Sequence, residues 1–124
     1  MEPGRKVLIL DADIMIVMEV EECLEQGGYD VVHLSSPSGA ISKIEYEEPE
    51  VLLLDIEMDR LNTDDLLQTL QAGPNFEEMV VVAFSDMDAD ELQEFCMANQ
   101  LNGYFCKSMD ISQIAEFLDN FFEY

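Results

Sequence analysis

The segment VLILDAD, residues 7–13, joins four consecutive apolar residues to two carboxylates. A short apolar run of this kind is typical of a strand that is buried on both faces of a parallel sheet. Apolar side chains then recur at helical spacing up to Gly27 and Gly28, and this pattern predicts a helix over residues 13–26. The segment therefore predicts a β–α unit with acidic side chains at the turn between strand and helix.

The same alternation recurs along the 124 residues and gives five β–α units. Further strands are predicted at residues 31–34, 51–54, 79–84 and 103–106. The later helices are predicted at about residues 38–46, around Leu66, Leu67 and Leu70, at 88–99 and from 111 to 121. Alternating strands and helices imply a parallel sheet covered on both faces. Right-handed crossovers then restrict the topology to an open, doubly wound α/β domain.

The composition is strongly acidic: 5 Lys+Arg stand against 28 Asp+Glu, which gives a net charge of −23 at pH 7. Such a surface repels phosphate backbones and anionic lipid, so we expect no binding to nucleic acid or to a membrane surface. The apolar runs are far shorter than the roughly 18 residues of a membrane span. The first residues lack the apolar region of a signal peptide, so we expect none, and the three cysteines lack metal-site or disulfide spacing. We therefore expect one cytoplasmic domain over residues 1–124.

Polar side chains follow the ends of four predicted strands, and these ends meet at one edge of a parallel sheet. That edge is where doubly wound sheets bind their ligands, at a switch point in the strand order. The residues concerned are Asp11, Asp13, Asp55, Glu57, Ser85 and Lys107.

These segments resemble the receiver domain of two-component response regulators over essentially the whole chain. The segments that carry the resemblance are VLILDAD, the helix closing at Gly28-Tyr29, LLLDIEM, VVVAFS and GYFCK. The spacings from Asp55 to Ser85 and from Ser85 to Lys107 are also similar to those of the family. The resemblance implies a flavodoxin-like (βα)5 fold with a five-stranded parallel sheet in the order 2-1-3-4-5.

The resemblance also implies a role for each residue at the sheet edge. Asp55 resembles the aspartate that accepts a phosphoryl group from a histidine kinase or phosphotransfer protein. Asp11, Asp55 and the backbone carbonyl of Glu57 would hold Mg2+, with Asp13 as a further candidate ligand. Lys107 resembles the ammonium that pairs with the phosphoryl group.

Two further residues resemble the switch of the family. Ser85 corresponds to the hydroxyl that turns toward the phosphoryl group, and Tyr104 to the aromatic side chain whose rotamer follows it.

The predicted output is contact with a downstream protein, because we expect no attached DNA-binding or enzymatic domain. The chain would then be a monomer or a weak homodimer, with no enzymatic activity beyond self-catalysed phosphoryl acceptance and slow autodephosphorylation. The partner face of the family corresponds to the fourth helix, fifth strand and fifth helix. Its candidate residues are Met97, Tyr104, Met109 and Phe122.

The sequence departs from the family at three places. Ala12 stands where the family has a second metal-ligating acid, and Ser108 replaces a proline, so we expect a trans Lys107–Ser108 bond. The loop at residues 59–63 lacks the usual Pro and Asp-Gly. Two interpretations stay open: a working receiver with weak magnesium affinity, or a pseudo-receiver that signals by protein contact without phosphorylation.

The end of the first predicted strand also resembles a motif of another class, an enzyme. A strand followed by Asp-x-Asp resembles the first motif of haloacid-dehalogenase-type phosphohydrolases, with Asp11 as nucleophile and Asp13 as acid/base. That family needs a later acidic motif, a longer chain, and a Gly or Thr where Ile14 stands here.

Overall fold

A computed structural model describes residues 4–58, 61–73 and 76–122. The strands are β1 (Lys6–Leu10), β2 (Asp30–Leu34), β3 (Val51–Leu54), β4 (Val80–Ser85) and β5 (Gly103–Cys106). The helices are α1 (Ile14–Gln26), α2 (Ala40–Glu47), α3 (Thr63–Gln71), α4 (Ala89–Asn99) and α5 (Ile114–Asp119). All strand pairs are parallel, in the order β2-β1-β3-β4-β5, which confirms the predicted fold. Within the described ranges, no helix has the length and apolar character needed to cross a membrane.

Alternate side chains of the central strands pack into two separate apolar layers, one on each face of the sheet. Val7 and Ile9 of β1 pack on one face of the sheet, in a cluster that includes residues of α1 and α5. Leu8 and Leu10 pack on the other face, in a cluster that includes residues of α2 and α3. All four side chains are fully buried. Burial on both faces explains why β1 is a continuous apolar run rather than an alternating one.

The helix ends differ from the predicted ones by a few residues, and side-chain caps explain the difference at the starts of two helices. Asp13 and Asp88 accept hydrogen bonds from backbone N–H groups of α1 and α4, so these helices begin one residue after their predicted starts, at Ile14 and Ala89. The predicted last helix is shorter: a 3-10 turn at Ile111–Gln113 precedes α5, which ends at Asp119. Residues 59 and 60 of the loop at residues 59–63 lie outside the described ranges.

Candidate functional site

The register of the sheet brings the polar strand ends together. Leu10 of β1 pairs with Leu54 of β3, so Asp11 and Asp55 follow neighbouring strands at the same level. Ser85, the last residue of β4, pairs with Cys106 of β5, so Lys107 comes directly beyond it. Parallel strands in the order β1-β3-β4-β5 therefore present two carboxylates, a hydroxyl and an ammonium along one edge.

Lys107 lies between the two carboxylates. Its Nζ is 2.8 Å from Asp11 Oδ2 and 3.4 Å from Asp55 Oδ2. The side chains of Lys107, Asp11 and Asp55 are 8%, 0% and 12% exposed, so the ion pairs are largely shielded from water. The ammonium also lies 5.3 Å from the ring centroid of Phe84. Two buried carboxylates thus share one counter-ion.

Burial and charge act in opposite directions on these groups. Burial raises the pKa of Asp55, and Asp11 adds to the rise, while the Glu57 N–H and Lys107 oppose it without cancelling it. Burial alone would lower the pKa of Lys107, but its contacts with Asp11 and Asp55 outweigh burial, so that pKa is raised. Lys107 is therefore held as a cation, and it lies beside Asp55, whose ionised form is destabilised by burial.

Glu57 contacts the site through both its backbone and its side chain. Its N–H donates a 3.0 Å hydrogen bond to Asp55 Oδ1. Its carboxylate Oε1 accepts a hydrogen bond from Ser85 Oγ, which also accepts a 3.1 Å hydrogen bond from the Met87 N–H. Ser85 is fully buried, whereas Glu57 is exposed. The Ser85 hydroxyl therefore donates to a carboxylate and accepts from a backbone N–H.

Asp13 contacts this cluster through its backbone and not through its carboxylate. Its carboxylate accepts from the Ile16 N–H at 3.4 Å at the start of α1, and its own N–H donates to Asp11 Oδ1 at 2.8 Å. The side chain thus caps a helix, and only its backbone supports the site. Ala12, next to it, offers a methyl group and no ligand oxygen.

The donor set for a metal ion is small. Over the described ranges, no group of three or more His, Cys, Asp or Glu side chains is arranged to hold a metal ion. Asp11 and Asp55 remain as two carboxylates that share Lys107. Mg2+ in proteins is commonly bound by one or two carboxylates and keeps several of its waters. The site therefore fits a hard divalent cation that competes with an ammonium, and the Glu57 carbonyl stays a predicted ligand.

The four residues predicted for the partner face do not all line the same cavity. Tyr104 and Met109 line one cavity of about 860 Å³ together with Phe117 and Phe121. Met97 is 74% exposed on α4, outside the lining of that cavity. The ring of Phe122 lies under the guanidinium of Arg5, at 4.0 Å to its centroid. The residues that share a cavity are thus Tyr104 and Met109.

Two contacts of the site have no counterpart among the sequence-based predictions. The His33 side chain donates from Nε2 to the backbone carbonyl of Asp11 at 2.9 Å. The second contact is that of the Lys107 ammonium with the ring of Phe84. Because His33 pairs with Ile9 in the register, its position near the end of β2 is the signal that could have revealed its contact. The described residues contain no cis peptide bond, so Lys107–Ser108 is trans, as predicted.

Comparison with known proteins identifies related domains. A family model described as the response regulator receiver domain matches residues 7–119. The chain is 26% identical over 89 residues to the alkaline phosphatase synthesis transcriptional regulatory protein PhoP of Bacillus subtilis, a match that covers 72% of this chain and 37% of PhoP. It spans less than half the length of the curated relatives that it matches.

Solved structures share the fold at low sequence identity. The chemotaxis response regulator CheY4 of Vibrio cholerae superposes with a TM-score of 0.83 at 18% identity, covering 94% of this chain and 98% of that one. The receiver domain of the sensor histidine kinase PA1611 from Pseudomonas aeruginosa, solved with a magnesium ion coordinated in its active site cleft, superposes with a TM-score of 0.80 at 18% identity. That match covers 94% of this chain and 96% of that one.

Proposed function

Because the chain belongs to the response regulator receiver family, we propose that it accepts a phosphoryl group on Asp55 and transmits the signal by protein contact. The observation that carries the proposal is the setting of Asp55. One oxygen of this carboxylate accepts the Glu57 N–H, and the other faces Lys107 at 3.4 Å. This setting orients the carboxylate at the edge of the sheet, where 12% of the side chain is exposed.

In the proposed step, an oxygen of the Asp55 carboxylate attacks the phosphorus of a phosphohistidine on a histidine kinase or phosphotransfer protein. An O–P bond forms as the P–N bond of the donor breaks, and the imidazole leaves with the electron pair of that bond and takes up a proton. The product is an acyl phosphate on Asp55. The protein acts as an acceptor in a phosphorelay, with slow autodephosphorylation as its only turnover.

The chain supplies two groups that assist this step. The Lys107 ammonium, already near Asp55 Oδ2, pairs with the charge on the phosphoryl oxygens. The Ser85 hydroxyl donates to one of those oxygens once it is released from Glu57, and Tyr104 responds to that movement. Asp11 and Asp55 would hold Mg2+, which when bound neutralises charge on the transferring group.

The net charge and the exposed apolar residues constrain the proposed partners. A net charge of −23 favours donors and targets that present a basic face. The cavity lined by Tyr104 and Met109, with exposed Met97, supports contact of a cytoplasmic target with the fourth helix, fifth strand and fifth helix.

A pseudo-receiver remains the second candidate because of Ala12. The residue offers no ligand oxygen, and Lys107 pairs with both Asp11 and Asp55 without a metal ion. In that case the same fold would present its partner face without phosphorylation.

Melting curves with Mg2+ and beryllium fluoride, a phosphoryl analogue, separate the two candidates. Ligand that binds only the folded state adds about 1.4 kcal/mol of stability at tenfold excess over Kd. Asp55→Asn is the matched control, because it removes the acceptor while changing the net charge by one unit. A working receiver should show a larger rise in Tm for the native protein than for the variant. Equal rises would identify nonspecific screening of the acidic surface and favour the pseudo-receiver.

A further inference from the structure

We propose that the Glu57 carboxylate competes with the incoming phosphoryl group for the Ser85 hydroxyl and thereby restrains phosphorylation of Asp55. The inference rests on the proposed function of Asp55 and assigns a regulatory role to a side chain that the family resemblance uses only through its backbone carbonyl. The observation behind it is the hydrogen bond from Ser85 Oγ to Glu57 Oε1.

The Ser85 hydroxyl has a single proton to donate. Its oxygen already accepts the Met87 N–H at 3.1 Å, and the side chain is fully buried. The proton is directed to Glu57, so it is not available to a phosphoryl oxygen on Asp55. A hydroxyl that donates to a carboxylate also makes a stronger hydrogen bond than one that donates to a neutral acceptor.

The Glu57 carboxylate lies where it would repel a phosphoryl group on Asp55, because both negative groups would accept from the Ser85 hydroxyl. Its N–H is bonded to Asp55 Oδ1 at 3.0 Å, which ties the residue to the acceptor itself. A phosphoryl group carries about −1.5 to −2 charge at pH 7, so it repels a carboxylate at the same hydroxyl. Because Glu57 is exposed, its side chain can turn into solvent when the phosphoryl group arrives.

The competition has a defined consequence for the rate. The resting protein must break the Ser85–Glu57 hydrogen bond and move one negative charge before Ser85 can engage the phosphoryl group. Asp11 and Asp55 leave the site with an excess of carboxylate over its one lysine, and Glu57 adds a further negative charge. Removal of Glu57 should therefore accelerate phosphorylation rather than damage the site.

Three variants test this inference. Glu57→Ala removes the acceptor and the charge, and Glu57→Gln keeps an acceptor oxygen without the charge. Glu45→Gln is the matched control, because it makes the same change of charge at an exposed residue of α2. The initial rate of Asp55 phosphorylation by acetyl phosphate is measured for each protein at saturating Mg2+. Amide spectra recorded without phosphodonor report the Met87 N–H, which contacts Ser85 Oγ.

We expect Glu57→Ala to react about tenfold faster than the native protein, a factor that corresponds to about 1.4 kcal/mol. Glu57→Gln should lie between them, Glu45→Gln should match the native protein, and the Met87 amide should shift only in the two Glu57 variants. Three results would overturn the proposed competition for Ser85 without affecting the proposal that Asp55 is the phosphoryl acceptor. They are labelling of all four proteins at equal rates, slower labelling of the Glu57 variants, and a Met87 amide that does not shift in those variants. Absence of labelling in all four proteins would overturn the proposed function together with the competition.

Discussion

Replacement of Lys107 by Met isolates the energetic role of the central ammonium. The Nζ atom lies 2.8 Å from Asp11 and 3.4 Å from Asp55, and all three side chains are largely buried. Loss of one partner of a buried ion pair costs about 3–5 kcal/mol, because the remaining charge stays uncompensated. For a domain with about 5–15 kcal/mol of total stability this is a large fraction. Methionine keeps an unbranched side chain beside Phe84, so the loss reports mainly on charge.

The assay is urea unfolding at pH 7, followed by circular dichroism. Lys43→Met is the matched control: Lys43 Nζ pairs with Glu47 at 3.1 Å, but its side chain is 35% exposed, and pairs of that kind contribute about 0–1 kcal/mol. The double variant Lys107→Met/Asp11→Asn should recover part of the loss, since it removes one of the uncompensated carboxylates. A loss for Lys107→Met no larger than that for Lys43→Met, or no recovery in the double variant, would refute the reasoning.

Three further predictions concern Asp55, Ala12 and Tyr29. Because the pKa of Asp55 is raised by burial, the folded protein keeps this proton to a higher pH than the unfolded chain; the ionised carboxylate therefore costs stability above its folded pKa. Asp55→Asn should raise the urea midpoint at pH 7, and this gain should disappear as the pH falls below the unfolded pKa of Asp, about 3.9. Ala12→Asp should restore a metal ligand and enlarge the rise of Tm in millimolar Mg2+. A tenfold tighter Kd adds about 1.4 kcal/mol to the unfolding free energy when Mg2+ is in excess. An unchanged response would show that Ala12 is not the weakened position. Tyr29→Phe removes the 2.7 Å hydrogen bond from the phenol to Asp119 Oδ1. Burial and this contact together raise the pKa of Tyr29. The variant should lower the unfolding free energy by about 1 kcal/mol in the same urea assay.

The order and type of the elements could be predicted because burial leaves a direct trace in the sequence. Residues 51–54 are four consecutive apolar side chains, and the structure buries all of them in a strand with the predicted bounds. The predicted helix ends were less exact than the strand bounds. A helix end depends on a single side-chain cap, which the apolar spacing does not reveal. Nothing in the spacing of Ile111, Ile114 and Leu118 distinguishes a 3-10 turn followed by α5 from one longer helix.

The site was predictable as a set of strand ends but not as a set of contacts. Parallel pairing alone places Asp11, Asp55, Ser85 and Lys107 at one edge. The direction of the Glu57 side chain depends on its rotamer, which the sequence does not encode, so its hydrogen bond with Ser85 emerged only from the structure. The same holds for His33, whose contact depends on the register of β1 and β2.

Chemical mapping of the acyl phosphate tests the central claim most directly. The native protein is incubated with acetyl phosphate and Mg2+, reduced with borohydride, digested and sequenced by mass spectrometry, because borohydride converts an aspartyl phosphate to homoserine. We expect homoserine at Asp55, and we expect none in Asp55→Asn. Homoserine at Asp11 would instead support the phosphohydrolase-like chemistry of an Asp-x-Asp nucleophile, and an unmodified Asp55 under these conditions would contradict its assignment as the phosphoryl acceptor.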